Sequence, residues 1–147
     1  MKKTKIISVF GALALTILLF TSCEKDKPLS EQIIGKWEVT SENQIFTLQG
    51  TPKFEYKFYY EADELAFEFT TGGGLIVYQA GEVTSIMTYT LNGSTIDIEM
   101  GSMSMSWKNV TAGENTLTWS EIGTEMINDV TYNIEVVYNT KRASTAK

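Results

Sequence analysis

The chain has no histidine, a single cysteine and two prolines in 147 residues, and its 12 basic side chains are outnumbered by 18 acidic ones. The missing histidine removes the commonest general base and the commonest transition-metal ligand. Many serines are present, but none lies in a recognisable motif with a base. Gly72-Gly73-Gly74 is followed by no Gly-Lys-Ser/Thr and no helical pattern, so it reads as a turn and not a phosphate cradle. The acidic corner Glu61-Ala62-Asp63-Glu64 lacks the alternating ligands and glycine of a calcium loop and reads as a solvated turn. Asp97 and Glu99 share a strand face, but it is the polar one, so paired-carboxylate chemistry is not expected there. The acidic balance argues against nucleic acid, whose binding rests on clustered Lys and Arg. No long helical periodicity and no internal repeat is visible. The expectation is a protein that is not an enzyme and takes no cofactor and no metal.

What is present begins with an address. Met1-Lys2-Lys3-Thr4-Lys5 is a short basic start, and Ile6 to Phe20 is an apolar run broken weakly by Ser8, Gly11 and Thr16. That layout is secretory, and the run is short of the about 20 residues a permanent spanning helix needs. Phe20-Thr21-Ser22-Cys23 then resembles a bacterial lipoprotein signal: an apolar residue, two small ones, then the cysteine that is lipidated. The resemblance implies cleavage after residue 22 and lipidation of Cys23, leaving no free thiol. Several acyl chains would hold the protein on a membrane without a spanning helix. Glu24 and Asp26 resemble the acidic tag that directs some lipoproteins to the outer surface, which implies an outer-membrane, surface-exposed location. Without Lys2, Lys3 and Lys5, 9 basic side chains face 18 acidic ones, a formal charge of −9. Such a charge keeps a tethered domain soluble.

The chain divides into a signal at 1–22, the lipidated cysteine and a short linker at 23–30, one domain at 31–141 and a tail at 142–147. The domain alternates with a period of two. Trp37 and Val39 oppose Lys36, Glu38 and Thr40. Phe54, Tyr56, Phe58 and Tyr60 alternate with charged residues, which predicts four rings in the core or a cavity wall. Leu65, Phe67 and Phe69 follow, then Val83, Met87, Tyr89 and Leu91 on one predicted strand. Ile96, Ile98 and Met100 come next, then Leu117 and Trp119, and finally Val130 to Tyr138. Turns are predicted at 49–52, 61–63, 72–74, 81–82, 92–93 and 112–113. Asn92-Gly93 is the strongest, as the centre of a type I′ hairpin. About eight strands with short connections predict an all-β antiparallel up-and-down barrel or a sandwich. The barrel is preferred because it leaves no edge strand.

Ile34-Gly35-Lys36-Trp37 is similar to the Gly-x-Trp signature that opens lipocalins. The order of the later strands resembles the short lipocalin-like domains of bacterial envelope lipoproteins across residues 30–141. The resemblance implies an eight-stranded barrel, with Gly35 and Trp37 at its closed end and a site for a small apolar ligand at the other. It also implies an arginine packed on the tryptophan. Arg142, the only arginine, lies past the last predicted strand, with Lys141 as a substitute.

Met103, Met105 and Trp107 share one strand face, and their soft side chains suit a loosely selective apolar site better than a copper site without histidine. The predicted cavity residues are Phe67, Tyr89, Met103, Met105 and Trp119. Two functions follow: a lipid-anchored module that binds a small apolar ligand, or a lipoprotein with a filled barrel that docks a protein or glycan partner. They differ in whether the interior is hollow, since eight strands enclose either a filled core or one small ligand.

Overall fold

Alternating strands need partners on both sides, and the computed structural model, which describes residues 27–144, supplies them as one antiparallel sheet. The predicted signal, Cys23 and Glu24 to Asp26 lie outside the described residues, as do residues 145–147. One helical turn, α1 (Leu29–Gln32), precedes β1 (Gly35–Leu48), β2 (Thr51–Tyr59), β3 (Leu65–Phe69), β4 (Gly74–Gln79) and β5 (Glu82–Asn92). β6 (Thr95–Met100), β7 (Met103–Ala112), β8 (Thr116–Ile127) and β9 (Val130–Arg142) complete the chain. β1 pairs with β3 on one side and β9 on the other, so these strands close an all-β antiparallel barrel of eight. β2 is a ninth strand outside the ring, paired only with β1. Among the described residues no helix is long and apolar enough to cross a membrane.

β1 belongs to two structures. Its start, Gly35 to Glu38, pairs with β3, and its later part, Ser41 to Leu48, pairs with β2. The change of partner coincides with a register slip against β9 between Val39 and Ser41, which leaves Thr40 as a bulge. Bulges bend and twist the strand that carries them. Thr40 is held there from both directions: its Oγ1 donates to Asn139 O at 3.0 Å, and its carbonyl accepts from Tyr60 N–H at 3.1 Å. Across the barrel β8 leaves β7 in a matching way. β7 and β8 pair only from Lys108–Ser120 to Ala112–Leu117, whereas β8 and β9 stay paired as far as Ile127–Val130. β2, the later part of β1, the start of β9 and the end of β8 therefore form a four-stranded apron that projects beyond one pole of the barrel.

The hairpins follow from local chemistry. Gln49-Gly50, Ala80-Gly81 and Asn128-Asp129 each have positive φ at both central residues, as a type I′ turn requires. The predicted Asn92-Gly93 centre is displaced by one residue. Asn92 pairs with Thr95, so the loop is Gly93-Ser94, with positive φ at Gly93 alone, and Asn92 is free to donate to Asp97 Oδ2 at 2.8 Å.

The pole opposite the apron is closed. Ile33 and Trp37 are fully buried, and the Trp37 indole N–H donates to Ile33 O at 2.7 Å. Arg142 is not beyond the last strand: β9 runs through it, and its guanidinium lies 4.2 Å above the Trp37 ring. The same guanidinium donates to Ile34 O at 3.0 Å and Gln32 O at 3.1 Å. This is the pairing that the resemblance implies, made by Arg142 and not by Lys141, which instead meets Glu38 at 3.1 Å. Gly35 has φ +121°, where any other side chain is strained, and a Cβ there would stand 2.9 Å from Arg142 Nη1 and push the guanidinium aside. Above this cap lies the main core of Val39, Phe69, Leu75, Ile96, Ile98, Val110 and Leu117, all buried.

Candidate functional site

Three layers rise from the core toward the apron. The first is aromatic. Trp107 and Trp119 stack at 4.5 Å, Trp119 stacks on Tyr138 at 5.3 Å, and Phe67 meets both indoles edge-on at 5.1 and 5.4 Å. These rings come from β3, β7, β8 and β9, so they cross the middle of the barrel ring to ring. Both indole N–H groups are buried without a hydrogen bond of good geometry.

The second layer is acidic. Glu42, on β1, is buried opposite Tyr138, because the Thr40 bulge brings it into phase with the interior. Its two oxygens accept from Tyr60 Oη at 2.6 Å and Gln44 Nε2 at 2.8 Å. Glu121, on β8, is the next inward position after Trp119. Burial pushes its carboxyl above the usual carboxylate range; the nearby Trp107 N–H works the other way without completing a bond, and Glu42 adds to the rise. The phenol of Tyr138 is held well above its ordinary range, first by burial and then by Glu121 and Glu42. Tyr60 is shifted the same way by burial and by its bond to Glu42. Neither Glu42 nor Glu121 forms an ion pair with a basic side chain among the described residues. The open pole, beside the apron where β7 and β8 part, is thus lined by two carboxylates and two phenols.

The third layer is the apron. On its inner face Phe46 is buried by stacking on Phe54 at 4.7 Å and by edge contacts with Tyr56 at 5.9 Å and Tyr132 at 6.4 Å. Of the rings predicted as core on β2, Phe54 and Tyr56 thus belong to a satellite cluster outside the barrel. Tyr56 and Phe58 are exposed, and Tyr60 has left the strand to bind Glu42. Alternation predicted a covered face on β2, but only Phe54 is partly covered there, because β2 lies outside the ring with no layer packed on it beyond its neighbours' rings. The outer face carries exposed Tyr59, Ile122 and Met126.

The five predicted cavity residues fall into three places. Phe67 and Trp119 are in the aromatic layer. Tyr89 sits lower, edge-on to Phe69 at 5.1 Å, with its hydroxyl donating to Thr70 O at 3.1 Å. Met103 and Met105 face inward by register, opposite Met100 and Ile98, yet are 59% and 46% exposed because β8 no longer covers that part of β7. Val83 does not share a face with Met87, Tyr89 and Leu91: a slip between Val77 and Tyr78 turns it outward, opposite Tyr78. Sequence reasoning missed Glu42 and Glu121, and it read Tyr60 as a core or cavity-wall ring without its bond to Glu42. The usable signal was a carboxylate at an inward phase, since Leu117, Trp119 and Glu121 are evenly spaced by two.

No protein-family model, curated protein or solved structure matches the chain.

Proposed function

We propose that this chain is a lipid-anchored envelope protein whose lipocalin-like barrel serves as a filled support and whose apron docks a partner. The observation that carries this reading is the contrast in packing. Phe67, Trp107, Trp119 and Tyr138 occupy the middle of the barrel ring to ring, while large apolar side chains on the apron stand in solvent, Tyr59 at 76%, Met126 at 68% and Ile122 at 65% exposed. Ile122 and Met126 share the outer face of β8, with Tyr59 at the other edge of the apron on β2, and large apolar side chains left exposed on one face are candidate points of contact. The anchor fits this geometry. Cys23 precedes Lys27 by four residues, at most about 14 Å of extended chain. Lipid on Cys23 would hold the α1 pole near the membrane and present the apron away from it. No catalytic role is proposed.

Exposed Met103 and Met105 support a second reading, in which the open pole takes a small apolar ligand. Native mass spectrometry on residues 24–147, purified from the periplasm without detergent, separates the two. A bare protein mass with no uptake of an apolar dye supports the filled barrel. A reproducible added mass that is lost on denaturation overturns it in favour of the ligand. For the anchor, Cys23→Ser is expected to abolish metabolic lipid labelling and release the protein from membranes, and unchanged labelling would end that part of the proposal.

A further inference from the structure

The apron has two free edges, and they are built differently. β2 carries Pro52, Lys53 and Lys57 along its outer edge, and proline and lysine are the usual means of keeping an edge from pairing. The end of β8, Glu121 to Ile127, pairs with β9 only and leaves its other side unpaired. It contains no proline, lysine or arginine and includes Gly123. Its side chains are sorted by face. Glu121 and Glu125 lie on the inner face with Val136 and Tyr132, and Ile122 and Met126 lie on the outer face, both exposed.

We propose that the free edge of β8, residues 121–127, is a docking edge for an extended segment of a partner protein whose side chains alternate between basic and apolar. Added as a further strand, such a segment has its backbone paired along β8 and its side chains pointing to the two faces in turn. Residues on the inner face meet Glu121 and Glu125 and are matched by lysine or arginine. Residues on the outer face meet Ile122 and Met126 and are matched by valine, leucine or isoleucine. Cross-strand pairs of opposite charge and of apolar groups favour this occupant, and like charges oppose a second copy of the same edge. The acidic excess of the whole chain, 18 acidic against 12 basic side chains, opposes self-pairing further. Acids on one face thus select the partner as well as attract it.

This inference rests on the reading of the chain as an interaction protein and is tested on the full chain expressed with its own N-terminal segment. The probe is a blocked peptide of about nine residues alternating lysine and valine, long enough to span the edge. Hydrogen exchange is expected to slow at residues 121–127 on binding and to stay unchanged at 51–59. Binding is expected to weaken as salt is raised. Ile122→Lys and Glu125→Lys, both at exposed positions, are each expected to weaken binding by about ten-fold or more, with Tm retained as proof of folding. A peptide of the same composition in scrambled order, and one with glutamate for lysine, should not protect the edge. Protection on β2 instead, or equal binding by Ile122→Lys, overturns the edge assignment while leaving the interaction reading intact. No protection anywhere at about 1 mM peptide, weaker than any useful affinity, also overturns the edge. Concentration-dependent dimers protected at 121–127 without peptide overturn it in favour of self-pairing. Failure of the broader reading is distinguished by the added apolar mass in native mass spectrometry.

Discussion

At the closed pole Trp37 has strands on both sides, its N–H bonded to Ile33, and Arg142 laid across its ring. Further along the same strand Phe46 also has strands on both sides, but its cover is a patch of three other rings on one face of an open sheet. Both side chains are buried, yet the first is enclosed by a barrel and the second only by its neighbours. Burial of one residue therefore does not report how much structure must open to expose it. The barrel end is expected to open only with global unfolding, and the apron by itself.

Substitutions can sharpen or break that contrast. The largest effect is expected for Trp37→Ala, which removes a fully enclosed ring and should cost about 3–5 kcal/mol in chemical denaturation. A loss under about 0.5 kcal/mol, the range of surface changes, would mean that the closed pole is not closed. Phe46→Ala should cost about 2 kcal/mol or more, and the cost should be felt locally. Amide exchange should speed across the apron, residues 43–59, while amides around Leu117 and Trp37 keep their protection. Equal acceleration in both regions would show one cooperative unit and erase the distinction.

Arg142→Ala comes next, at about 1–2 kcal/mol, from the lost ring contact and carbonyl bonds. Arg142→Lys should recover only part of this, because an ammonium cannot reach several carbonyls as the guanidinium fork does. Full recovery would assign the effect to charge alone. The smallest effect is expected at the boundary between the two regions and has the opposite sign. Burial raises the Glu121 carboxyl, so the folded state holds its proton to higher pH than the unfolded chain does. The charge then costs stability above the folded value and nothing once pH is below the unfolded one. Glu121→Gln should raise Tm at neutral pH, with the gain vanishing on acidification through the ordinary carboxyl range. A gain that persists in acid would point to packing in place of charge.

The strands of the barrel were largely legible because each buries one face, and a period of two records that directly. Features that depend on a single inserted residue were not. The bulge at Thr40 breaks the alternation of β1, so the polar run Ser41-Glu42-Asn43-Gln44 did not read as the continuation of a strand. A slip of the same kind turned Val83 outward. Asn128-Asp129 turns as tightly as Gln49-Gly50 but without glycine, and nothing in its composition marked it strongly. The apron was hidden for another reason. Rings at alternate positions look alike whether a barrel or a neighbouring strand covers them, so Phe54, Tyr56 and Phe58 could not be placed from sequence. The Gly-x-Trp motif pointed to the closed pole, but the arginine on its tryptophan stands 105 residues further on, and only the three-dimensional register, which carries β9 through Arg142, decides between it and Lys141.

The clamp at the closed pole also joins the beginning and end of the described chain. Ala143 N–H donates to Lys36 O at 2.9 Å, and Arg142 reaches back to the carbonyls of Gln32 and Ile34. With its two ends adjacent, the ring of strands has no intrinsic starting point, and circular rearrangement of such a chain is commonly tolerated. A chain linked across this clamp and reopened between Asn128 and Asp129 would keep every strand pair of the barrel. It would emerge from the apron, so that the surface now farthest from the ends of the described residues would become the one beside the new ends.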